Sequence, residues 1–255
     1  MVRGSRRLTV ELFGEGIAWL ADPANWTHPR NGIFLRLWEH VSLSAVAIAV
    51  AIAIALPIGL TIGHTGRGAG AVIAMANIGR AVPSVGWLGI VFAPLLVLFG
   101  RGGIGFLPSV IALILLAIPP IVTNTYAGMR EVDREMVEAG RGMGMRESEI
   151  VRLVEIPVAL PVILAGVRSS AVQVVATATL ATIVGGGTLG AFIVQGIDVR
   201  ALDRVVGAAI LVALLAILTE LAFGLLQRRA VSPGLRAPAT WAPRDTAEVA
   251  IPLAN

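Results

Sequence analysis

A charged stretch, residues 131–157 (EVDREMVEAGRGMGMRESEIVRLVEIP), lies between apolar runs long enough to cross a bilayer. It carries Arg134, Arg141, Arg146 and Arg152 among several carboxylates, with Arg130 immediately before it. A charge at the bilayer centre costs ~3 kcal/mol or more on insertion scales, so this island lies in water. Its helical character predicts a folded element and not a plain linker, which points to a partner docking there. The rest of the chain fits that picture: 56% of its 255 residues are hydrophobic and only 14% charged. Those values, with recurrent runs of about 20 apolar residues, predict an all-α polytopic membrane protein.

The apolar runs predict about five spans, at residues 41–62, 71–99, 104–126, 158–184 and 205–226. The second is interrupted by Asn77, Arg80, Pro83 and Ser84, so it is either one broken helix or a half-helix with a re-entrant piece. Two full spans there would need roughly 40 residues, which leaves six spans as the alternative. Pro119 and Pro120 should bend the third span, and Gly185, Gly186 and Gly187 should end the fourth, leaving backbone groups that must face a cavity or protein. Residues 1–40 read as an interfacial or extracytoplasmic segment anchored by Trp19 and Trp26. Residues 41–226 form the membrane domain with its loop at 128–157, and residues 227–255 a cytoplasmic, partly disordered tail. The arginines of the island, with Arg228 and Arg229, place that loop and the C-terminus in the cytoplasm. Five spans then put Arg3, Arg6 and Arg7 outside, against the same bias.

Several chemistries are excluded. All 20 basic residues are arginine, so the chain has no lysine-bearing phosphate loop and no Schiff-base lysine. The glycine cluster at 185–190 lacks that lysine and follows a membrane helix, which argues against a nucleotide site. There is no cysteine, and His28, His40 and His64 lack metal-ligand spacing, so neither a metal nor a cofactor is expected. No catalytic constellation is visible. The net charge of +4 is read as favouring the anionic membrane surface and lipid over nucleic acid.

Within the island, Glu138-Ala139-Gly140, then Gly144 after three residues, then Val154-Glu155-Ile156-Pro157 after nine more, form a spaced pattern. It resembles the Glu-Ala-Ala…Gly…Ile-x-Leu-Pro coupling loop of bacterial ABC-importer permeases, with Gly140, Val154 and Ile156 as conservative departures. Gly144 permits a turn with positive φ, small residues at 139 and 140 permit close approach, and Pro157 suits the start of a helix. Further segments resemble the osmoprotectant branch of that family: residues 72–84, 119–128 and 152–170, Ala178-Thr179-Leu180-Ala181, residues 185–190 and residues 227–235. Arg80 departs, standing where that branch often has glutamine, as in permeases for amino acids.

The resemblance implies a type I importer permease fold. It implies a separate cytoplasmic ATPase on Glu138, Ala139, Gly140, Gly144, Val154, Ile156 and Pro157, and an extracytoplasmic substrate-binding protein. One chain has too few spans to enclose a path, so a homodimer or a paired homologous permease is expected. Asn77, Arg80, Pro83, Arg168, Gln173, Thr177 and Thr179 are candidate path residues. Polar residues in spans also serve helix–helix hydrogen bonding, and Arg168, some 16 Å along a helix from Pro157, is within reach of the interface by snorkelling. The expected cargo is a small osmoprotectant such as glycine betaine, choline, carnitine or proline betaine. The alternatives are amino-acid import and, further off, an ion-coupled carrier, which would call for buried mid-span acids.

Overall fold

The computed structural model describes residues 2–231, with side chains from Glu11 onward, and these residues fold into helices and turns without strands. In chain order the first elements are α1 (Val2–Ala21), α2 (Pro23–Thr27), α3 (Ile33–Thr65), α4 (Ala69–Ala81) and α5 (Ser84–Phe99). There follow α6 (Phe106–Arg130), α7 (Arg134–Gly142), α8 (Glu147–Ile150), α9 (Ile156–Thr177), α10 (Gly190–Asp198) and α11 (Leu202–Ala230). Five stretches are long and apolar enough to cross a membrane: Ile33–Thr65, Ser84–Gly103, Phe106–Arg130, Glu147–Val184 and Leu202–Ala230.

Helix α6 is the hub, packed between α3 and α9, while α11 leans on α9. Lipid tails are as apolar as leucine, so membrane helices gain cohesion from close backbone approach at small residues. On α3 the residues facing inward recur every fourth position: Leu43, Ala47, Ala51, Ala55, Gly59 and Gly63, all buried. A Cβ on Gly59 would stand 2.6 Å from Thr125 Cβ, and one on Gly63 would stand 2.5 Å from Met129 Cβ. From the other side, Gly166 of α9 meets Asn124 and the carbonyl of Pro120 just as tightly. Pro119 and Pro120 withhold N–H groups from the α6 ladder, and nearby side chains bond to their carbonyls. Thr123 Oγ1 donates to the Pro119 carbonyl at 2.9 Å and Asn124 Nδ2 to that of Pro120 at 2.8 Å.

The second apolar region breaks where its proline predicts, but the span sits later than 71–99. Val82 is extended ahead of Pro83, as the ring requires, so α4 ends and α5 starts anew. Trp87 Nε1 bridges the break by donating to the Gly79 carbonyl at 3.1 Å. With α4 only 13 residues long, the crossing helix is Ser84–Gly103 and the count of five stands.

Two expectations about the N-terminal region need correction. The first spanning helix begins at Ile33, not at residue 41, so the N-terminal segment is shorter than 40 residues. Trp19 is not an interfacial anchor: it is 8% exposed and meets Phe192 edge-on at 5.2 Å. Gly16 and Gly207 let α1 lie directly against α11 there, since a Cβ on either would overlap Val206 or Trp19. Pro157 stands in the first turn of α9, as expected, although the fourth span runs on from Glu147 through a π turn over Val151–Glu155 just ahead of the proline. Residues 227–230, expected to open the tail, continue α11, and the expected tail beyond Val231 lies outside the described residues.

The glycine cluster ends the fourth span as expected. After α9 the chain tightens into a 3-10 turn over Ala178–Val184, then reverses at Gly185 with φ +84°. The exposed backbone is satisfied by protein: Gly105 N–H donates to the Val184 carbonyl at 2.8 Å and Gly186 N–H to that of Ala181 at 2.8 Å. Beside α9, His40 Nε2 donates to the buried Val175 carbonyl at 2.8 Å; a carbonyl only accepts, so this nitrogen carries the hydrogen.

Candidate functional site

At one end of the bundle α7 and α8 form a helical hairpin, with Val137 of α7 packed against the cluster of Met129, Val132, Ala159 and Ile163. Asp133 caps α7 by accepting from Glu135 N–H at 2.9 Å. The reversal falls at Gly144, where φ is +83°, a region costly to any residue with a Cβ. Its turn is closed by Gly144 N–H on the Arg141 carbonyl at 2.9 Å and Met145 N–H on that of Gly140 at 3.1 Å. Glu149 then accepts from the Arg146 N–H at 2.7 Å and starts α8.

The spaced pattern resolves into two roles. Glu138, Ala139, Gly144 and Pro157 are exposed, and a Cβ on Gly144 would meet nothing within 4 Å. Gly140 is buried within the hairpin, where a Cβ would stand 3.4 Å from Ile150 Cγ1 and from Met145 Sδ. It therefore lies inside the hairpin and not on its outer surface. Val154 and Ile156 are half-buried at the base of the fourth span. Met136 (47% exposed), Met143 (77%) and Leu153 (68%), which the spacing pattern does not include, add exposed apolar surface to the same hairpin.

Charged groups tie the hairpin together. Arg141 donates to both carboxylate oxygens of Glu147, at 2.8 Å from Nε and 3.0 Å from Nη2. That carboxylate holds the Arg141 guanidinium above its ordinary pKa, so it stays charged throughout. The last turn of α3 joins in through His64, whose Nδ1 lies 2.7 Å from Glu155 and whose Nε2 lies 3.2 Å from Glu147. A cavity of about 230 Å³ beneath the hairpin is lined by His64, Arg130, Arg134, Glu138, Arg141 and Glu155 among others.

The candidate path residues are only partly brought together. Asn77 and Arg80 are exposed on α4 and Pro83 is exposed at the head of α5. Thr177, at the end of α9, lines a narrow apolar cleft with Ser84 and Leu88 of α5. Gln173 is exposed one turn earlier on α9, and Thr179 Oγ1 donates to the Ala176 carbonyl at 3.0 Å in the following 3-10 turn. Arg168 stands apart from this group. At 100° per residue it lies on the face of α9 opposite Thr177, where it forms an ion pair with Glu220 of α11.

Five apolar spans with a charged helical hairpin at one end define a multi-pass membrane protein. The chain belongs to the family described as "Binding-protein-dependent transport system inner membrane component", which it matches over residues 47–232. Among curated relatives it is 35% identical to a choline transport system permease protein of Bacillus subtilis, over 80% of this chain and 91% of that one. It is 37% identical to a glycine betaine/carnitine/choline transport system permease protein of the same organism, over 78% of this chain and 88% of that one. A carnitine transport permease protein of Listeria monocytogenes is 38% identical, over 81% of this chain and 91% of that one. In fold the chain is similar to a subunit of the MetNI methionine ABC transporter in an inward-facing form, with TM-score 0.71 and 24% identity. That match covers 83% of this chain and 100% of the other.

Proposed function

We propose that the chain is the permease subunit of an ATP-driven importer for a small osmoprotectant such as choline, glycine betaine or carnitine. On this reading the α7–α8 hairpin is cytoplasmic and seats a separate ATPase, and an external binding protein delivers the cargo. The observation that carries the proposal is the hairpin: a turn held at positive φ by Gly144, with open space at its Cβ position and Glu138, Ala139 and Met143 exposed around it. The arginines of the hairpin support its cytoplasmic side. The names of the relatives at 35–38% identity support the cargo.

A second permease chain completes the path. The spanning window of α5 is only 11% buried, and Val85, Ile90, Val97 and Leu98 project from it. We assign the path to Asn77, Arg80, Pro83, Gln173, Thr177 and Thr179, and leave Arg168 to the α9–α11 contact. Few aromatic residues are available to cage a quaternary amine by cation–π contact, so selectivity rests mainly with the binding protein.

The test is uptake in a host stripped of its own osmoprotectant importers, supplied with the complete transporter. Labelled choline or glycine betaine should accumulate against its gradient, labelled arginine should not, and the isolated chain should hydrolyse no ATP. Arginine uptake without choline or betaine uptake would move the cargo to the amino-acid alternative.

A further inference from the structure

His64 closes the last turn of α3, which ends at Gly66 with φ +69°. Its two ring nitrogens reach two carboxylates from different parts of the hairpin region: Glu155 in the π turn at 2.7 Å and Glu147 on α8 at 3.2 Å. Glu147 in turn holds Arg141 of α7 through two hydrogen bonds. The Glu155 side chain is only 7% exposed and shares its cavity with Arg130, Arg134 and Arg141, and His64 is its hydrogen-bonding partner there. A ring nitrogen stands against each carboxylate, so a substitute for His64 is judged by the donors it offers toward them. The connected groups are 77 to 91 residues apart in sequence, and one side chain joins the end of the first span to α7, α8 and the base of the fourth span.

We propose that His64 is the positioning residue of the coupling step. It makes the hairpin and the inner end of α3 move as one body, so that displacement of the hairpin by the ATPase reaches a spanning helix. This rests on the hairpin being the ATPase seat. Glu138, Ala139, Met143 and Gly144 hold the partner; His64 transmits its motion and does not touch it.

The experiment uses the complete transporter, purified through a tag on this chain and reconstituted in liposomes with choline as the probe. Three quantities are read: ATPase retained, ATP hydrolysed, and choline moved per ATP. His64→Ala should retain the ATPase and continue to hydrolyse ATP, while choline moved per ATP falls about tenfold or more through loss of the charge-assisted contacts. His64→Gln, whose amide offers two donors, should recover most of that loss. Choline moved per ATP unchanged in His64→Ala would overturn the proposal, and so would equal loss in Ala and Gln variants, which would mark a packing role only. Loss of the ATPase from His64→Ala would also overturn it, because the residue would then be shaping the seat. The seat itself is checked separately: an ATPase retained in full by Gly144→Asp would defeat the hairpin reading, whatever the His64 variants do.

Discussion

Replacing Gly144 with aspartate is expected to abolish uptake while the protein remains inserted in the membrane. Two effects act together at this position. The backbone sits at φ +83°, where a Cβ costs ~1–2 kcal/mol, so the reversal between α7 and α8 is strained. The added carboxylate also projects into space that is empty in this chain and filled by the partner in the proposed complex. Because Gly144 is exposed at the hairpin's turn, with nothing of this chain within 4 Å of its Cβ position, the packing of α3, α6 and α9 is left in place. Membrane level, ATPase recovered with the tagged chain, and choline uptake at equal expression are the measurements. Uptake should drop to background and ATPase recovery should fall with it, while the amount in the membrane stays near wild type.

The opposite pattern is expected for Gly59→Leu: the protein itself should be lost. Gly59 faces α6, and even the Cβ would stand 2.6 Å from Thr125 Cβ and 2.8 Å from its Cγ2. Overpacking of this kind typically costs ~1–3 kcal/mol, and a leucine adds three further carbons to the overlap. Helices α3 and α6 must then separate, which undoes the contact on which the bundle is built. Gly70→Leu is the control, since nothing lies within 4 Å of its Cβ position and it too sits in a helix. Detergent-extracted Gly59→Leu should elute as aggregate or fall to a small fraction of wild-type level, while Gly70→Leu elutes as wild type. Equal behaviour of the two variants would mean that the α3–α6 contact does not govern stability.

The features read most directly from the sequence were local ones. Apolar length gave five spans, Pro83 marked the α4–α5 break through its effect on Val82, and Gly144 sits at the positive φ that its place between two short helices called for. Gly59-Leu60-Thr61-Ile62-Gly63 carried a small-xxx-small signal for the tight α3–α6 face, visible in the sequence though easily passed over beside so much alanine. Pro157 marks the first turn of α9 as its type suggests, but the π turn ahead of it, which keeps the span continuous from Glu147, has no single-residue signal. Trp19 looked like an interfacial anchor because composition alone does not reveal that Gly16 and Gly207 bring α11 against it. His64 with Glu155, and Arg168 with Glu220, join residues 91 and 52 positions apart, so no local pattern announces them.

The seat of the ATPase is tested most directly by placing a photo-crosslinking residue at Met143, which is 77% exposed beside the Gly144 turn and tolerates a large side chain. The comparison position is Val97 on α5, 85% exposed and within a span. After illumination of intact cells, the Met143 position should yield an adduct whose second component is an ATP-binding protein, identified by mass spectrometry, and the Val97 position should not. An ATPase adduct from Val97 but none from Met143, or a Met143 adduct only with a protein outside the cytoplasm, would contradict the account.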